Sequence, residues 1–193
     1  MKLEIKHQEK YSRGELLLRT LFGWIYIMIP QGFVLFFVSI WGMILKIIAF
    51  FAVLFTGKYP KSMFEYHVGL FRWNLRLNAR VMNLSDGYPA FGIKGTDENT
   101  TLEVEYPEKL SRGLLILRIL FGWIYVGIPH GFILFFRYIA TGVLMFIAWW
   151  AVLILGKYPA GMHNFNVGTL RWGTRVSVYL GFLTDEYPPF SGK

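Results

Sequence analysis

Four histidines and two matched aspartates are the side chains here best suited to chemistry. His7, His67, His130 and His163 form no HxxxH or HExxH pattern, and only His130 lies in an apolar run. A metal site needs a set of donors at workable spacing, so His130 reads instead as a polar group hydrogen-bonded at a proline kink. In an internal repeat its place is taken by an amide, Gln31. Asp86 and Asp185 each begin a D-x-YP phrase. A nucleophile or base is one use for such a pair, but an Asp-initiated turn is the simpler one. No Walker loop, GxSxG, dinucleotide fingerprint or metalloprotease motif occurs. Cysteine is absent, which excludes disulfides and thiolate metal sites. No catalytic, cofactor-binding or metal-binding residue is assigned, and no cofactor is expected.

The cations are more suggestive. From Lys61 to Leu84, Lys61, Glu65, Arg72, Arg76 and Arg80 share one stripe at helical spacings, while Phe64, Val68, Phe71, Leu75 and Met82 occupy the other face. This is the pattern of an amphipathic helix at a membrane interface, with its cations at headgroup level. Lys58, Lys61, Arg72, Arg76 and Arg80 are therefore lipid-headgroup candidates, with Lys157, Arg171 and Arg175 in the second repeat, where Tyr179 replaces Arg80. Ordinary solvation and snorkelling is the blander role for the same residues.

What must position these groups is apolar. The chain has 193 residues, 54% hydrophobic and 17% charged, and its mean hydropathy is +0.41. The excess is concentrated in Leu16–Gly57 and Leu115–Gly156, each about 42 residues long and free of Asp and Glu. A bilayer span needs roughly 20 residues, so an all-α integral membrane protein is expected. The formal charge of +8 then points to anionic lipid rather than nucleic acid. The polar N-terminus has no small-residue cleavage site and does not read as a signal peptide.

The chain repeats itself with an offset of 99 residues, placing Arg13 on Arg112, Pro30 on Pro129, Gly57 on Gly156 and Asp86 on Asp185. Two membrane repeats follow, residues 1–92 and 100–193, joined by a polar linker at 93–99. Both carry cations in matching places, which suits an even number of crossings per copy. Each run is therefore expected to be a transmembrane hairpin, with apices at VSIWG and RYIATG. That gives about four spans, related by a pseudo-two-fold axis along the membrane normal, with both termini cytoplasmic. The alternative leaves the first half of each run interfacial, because Pro30 and Pro129 can end a helix. GKYP stops the second helix, Gly57 and Gly156 acting as left-handed caps. LEIKH and LEVEY alternate like short strands that pair at the cytoplasmic face.

GKYP, RW-x-x-R, D-x-YP-x-F and IPHGF together resemble an uncharacterised bacterial membrane family, domain of unknown function 4389, in two tandem copies. The resemblance implies a multi-pass protein of the bacterial cytoplasmic (inner) membrane and supplies no activity. The expected role is a non-catalytic scaffold or accessory subunit whose basic face engages anionic lipid, with another membrane protein or a second copy of itself as partner. A small transporter or channel, for an anion or lipid, is the alternative; a membrane enzyme using Asp86 or Asp185 is a third.

Overall fold

A computed structural model describes residues Met1–Lys193. The elements are β1 (Lys2–Ile5), a long helix α1 (Arg13–Thr56), α2 (Lys61–Val81), β2 (Thr100–Glu103), a second long helix α3 (Arg112–Leu155) and α4 (Ala160–Leu180). The chain is mostly helical, and its two halves repeat the same order of strand, long helix and shorter helix.

The expected hairpins within the apolar runs do not form. Helix continues through both proposed apices, so each run is one helix of 44 residues. The physical reason is local: VSIWG and RYIATG contain no proline, and one glycine does not stop an apolar helix. Gly42 serves close packing instead, since a Cβ there would meet Leu70 at 2.9 Å and Tyr66 at 3.4 Å. The turn that does reverse the chain is GKYP. Gly57 (φ 72°) and Gly156 (φ 68°) take the left-handed conformation that ends each long helix. The following helix then runs back along it: Tyr66 donates to the Val38 carbonyl, and Trp73 reaches Gln31. The hairpin is made by α1 with α2, and by α3 with α4.

Pro30 and Pro129 do not end their helices either. A π-helical turn precedes each, Trp24–Met28 and Trp123–Gly127, and the helix goes on. The turn also keeps the buried stripe straight. Gly23, Ile27, Gln31 and Leu35 are buried at steps of four, a spacing that would rotate the face by about 120° in a plain α-helix. The wider π turn takes up that drift, so Leu16 and Val53 still face the body.

The expected strands do pair. β1 and β2 form an antiparallel ribbon in which Leu3 lies opposite Leu102, its own repeat equivalent. The pseudo-two-fold axis passes between them. The two larger cores mix the copies: Leu16 of the first packs with Ala148, Val152 and Tyr158 of the second, and Leu115 packs with Ala49, Val53 and Tyr59. A smaller cluster of Ile27, Leu35, Trp73 and Leu77 closes within the first copy.

Candidate functional site

The repeated motifs are the places where the helices are tied. In the arginine-tryptophan pair, neighbouring side chains point to different layers. Trp73 Nε1 donates to Gln31 Oε1, and Gln31 Nε2 donates to the Pro89 carbonyl at 2.7 Å. Trp172 Nε1 donates to His130 Nδ1 at 2.9 Å, which leaves the imidazole proton on Nε2, 3.1 Å from the Tyr187 hydroxyl. Phe190 stacks on the same ring at 4.0 Å. Beside these tryptophans, Arg72 donates to the Leu102 carbonyl of β2, and Arg171 to the Leu3 carbonyl of β1. Each arginine thus holds the strand of the other copy.

D-x-YP forms a latch. Asp86 accepts from the Ser12 amide (2.6 Å) at the start of α1 and from Arg19 (2.8 Å). Asp185 accepts in the same way from the Ser111 amide and Arg118. A carboxylate at a helix N-terminus meets unpaired amides and the positive end of the dipole. GKYP supplies a buried anchor as well as a cap. Tyr59 and Tyr158 are fully buried, and burial pushes the Tyr158 phenol up to about 12 although Asn166 donates to it.

Two of the headgroup candidates are not at the surface. Arg76 is 2% exposed and Arg80 4%. Arg76 donates to the carbonyls of Ala90, Gly92 and Gly95, and Arg80 pairs with Asp97. Desolvation lowers the Arg76 pKa, against the nearby Asp97 charge. Burial raises that of Asp97, but its bonds to Arg80 and the Asn99 amide hold the carboxyl below its ordinary value overall. The linker at 93–99 is therefore clamped to α2. Sequence periodicity marks a polar stripe but cannot say whether it faces water or the chain's own carbonyls. Arg171 and Arg175 also spend donors on the C-terminal segment, at Gly192 and Ser191.

Exposed cations gather at the ends of the long helices. Arg13 donates to the Ile154 carbonyl and Tyr11 N to the Gly156 carbonyl. Arg112 donates to the Phe55 carbonyl and Leu110 N to the Gly57 carbonyl. The polar lead-in of each copy thereby caps the long helix of the other. Lys10, Arg13 and Lys157 gather at one end, and Lys58, Lys109 and Arg112 at the other, all exposed; Lys61 lies exposed at the start of α2. The sequence does not mark Arg13 and Arg112 as caps, because a uniform offset does not reveal which copy a residue serves. Between these ends the outer faces of α1 and α3 are apolar. The most apolar window of each is only 17% buried, and Trp24, Phe33, Phe36, Met43 and Phe55 all stand exposed on α1.

The family model described as "Domain of unknown function (DUF4389)" matches residues 14–92 and again 115–192. The chain belongs to this family, in two tandem copies. No curated protein and no solved structure matches it. The DUF4389 unit so delimited contains the long helix, GKYP, the arginine-tryptophan helix and the D-x-YP latch. The strand and lead-in that the copies exchange precede each match.

Proposed function

We propose that this DUF4389 protein is a non-catalytic integral membrane protein of the bacterial cytoplasmic membrane, acting as a scaffold or accessory subunit. The observation that carries the reading is the apolar outer face of the two 44-residue helices, whose most apolar windows are 17% buried. An exposed apolar surface of that extent needs lipid or another membrane protein against it. The basic residues that meet lipid are Lys58, Lys61 and Lys157 from the earlier set, with Lys10, Arg13, Lys109 and Arg112 beside them. Arg76 and Arg80 serve the fold.

The test is purification from native membranes in mild detergent, with mass spectrometry of co-purifying protein and lipid. A stoichiometric membrane-protein partner supports an accessory subunit; anionic lipid alone supports a lipid-bound scaffold. Quantitative recovery in the soluble fraction, without detergent, rejects both. Lys58→Glu with Lys109→Glu should weaken retention on phosphatidylglycerol vesicles and leave phosphatidylcholine vesicles unaffected, since roughly 1 kcal/mol per cation is at stake near an anionic surface.

A further inference from the structure

We infer that the two long helices lie in the plane of a single leaflet instead of crossing the bilayer, so that all four of their ends and the β-ribbon face the same aqueous side. The inference rests on the membrane residence proposed above and adds its geometry.

Length is the first ground. Forty-four helical residues extend about 66 Å, while the hydrocarbon core is about 30 Å thick. The position of the ribbon is the second and stronger one. Gln31 and His130 lie near the middle of their helices, and each is hydrogen-bonded to a tryptophan, Trp73 or Trp172. The adjacent residues, Arg72 and Arg171, hold the ribbon at Leu102 and Leu3. The ribbon therefore sits over the middle of the long helices. Its Lys2 and Glu4 side chains are each 56% exposed. Upright helices would set those charges at the bilayer midplane, where ionised side chains are most costly. Helices lying flat set them in water.

Charge complementarity agrees. Lys10, Arg13 and Lys157 at one end, and Lys58, Lys109 and Arg112 at the other, would then all stand at the anionic headgroups of one leaflet. The two-fold axis between Leu3 and Leu102 runs along the membrane normal in this arrangement, and the copies present the same face to the lipid.

The chain has no cysteine, so single thiols can be placed at will. Lys10→Cys, Lys58→Cys, Lys109→Cys, Lys157→Cys and Ser39→Cys are made separately in the full chain in a bacterial host. Intact cells and inverted membrane vesicles are treated with a membrane-impermeant maleimide. The four end positions should all react in the same preparation and none in the other, while Ser39→Cys reacts in neither. Reaction of Lys10 and Lys157 from one side and Lys58 and Lys109 from the other overturns the in-plane arrangement and establishes spanning helices. Reaction of Ser39→Cys from the side opposite the ends overturns it too. Spin labels along α1 give a second reading: uniform depth, about 5–10 Å below the headgroups, supports the inference, and a profile passing through the midplane rejects it. Protein that fails to float with the vesicles rejects membrane residence itself, a result the labelling pattern cannot mimic.

Discussion

Trp73 closes the first copy's helix pair on an amide, whereas Trp172 closes the second on an imidazole. Near the far end of the same helices, Arg80 of the first copy pairs with Asp97. The second has Tyr179 there, 3.0 Å from the Tyr125 hydroxyl and beneath the Arg118 guanidinium. Most of the partners are shared: Tyr26 and Arg19 stand where Tyr125 and Arg118 do, and Tyr88 and Phe91 where Tyr187 and Phe190 do. What repeats is the role of a position: a tryptophan must find an acceptor in the long helix, and the last turn of the shorter helix must be pinned. The residue that fulfils the role differs even where most of its neighbours are the same. Among the roles that reach across copies, Arg72 and Arg171, and Arg13 and Arg112, are the same residue type in both, whereas His7 and Tyr106 reach the Tyr158 and Tyr59 carbonyls with different side chains.

The largest effect should come from importing one copy's solution into the other. Arg80→Tyr leaves Asp97, which is 5% exposed in its side chain, without its cation. An uncompensated buried charge costs about 3–5 kcal/mol, and thermal unfolding in mild detergent should show that loss. Arg80→Tyr with Asp97→Asn should recover most of it. The wild-type contribution belongs to a carboxyl held below its ordinary 3.8, so it is present above that pH and drains away as pH falls through the folded value. If Arg80→Tyr alone is neutral, the two solutions are interchangeable and the coupling of position to partner is broken.

Much of this plan was readable in the sequence, and the losses have identifiable causes. The offset of 99 residues, the GKYP stop and the short strands all appear in the fold. The matched charges of the copies point to an even number of crossings, yet nothing in VSIWG breaks a helix, and local propensity prevails. The regular stripe of Arg76 and Arg80 points to a lipid surface; their acceptors, at residues 90 to 97, lie in a loop whose approach to α2 is a tertiary matter. Exchange of the lead-in segments was not legible at all, since Tyr11 and Gly156 pair across 145 residues by backbone alone.

An intermediate effect tests whether the amide and the imidazole are equivalent. Trp73→Phe and Trp172→Phe each keep an aromatic ring and remove one donor to a fully buried acceptor. Leaving such a group unsatisfied costs about 1–3 kcal/mol, and the two losses should match when measured by the same unfolding assay. A clear inequality would show that the His130 chain through Tyr187 to the Tyr125 carbonyl carries more than the single Gln31 bond to Pro89, sharpening the contrast between the copies.

The smallest effect is a pH dependence from a histidine that the first copy lacks at the same position. His163 stands where the first copy has Phe64 and is 1% exposed, its ring 4.9 Å edge-on from His7 and 5.7 Å from Tyr158. Burial lowers its pKa, and the neighbouring His7 lowers it further. The unfolded chain therefore takes up this proton first as pH falls. Stability from His163 is fully present above its ordinary value of 6.5 and is lost as pH drops toward the folded value. The strain falls where the β1 lead-in meets α4, because the His7 ring bonds the Tyr158 carbonyl at 2.7 Å. Unfolding midpoints between about pH 5 and 8 should thus decline on the acid side for the wild type and less for His163→Phe, which installs the first copy's residue. An identical decline in both proteins would assign the acid sensitivity to another group and leave the two copies alike in this respect.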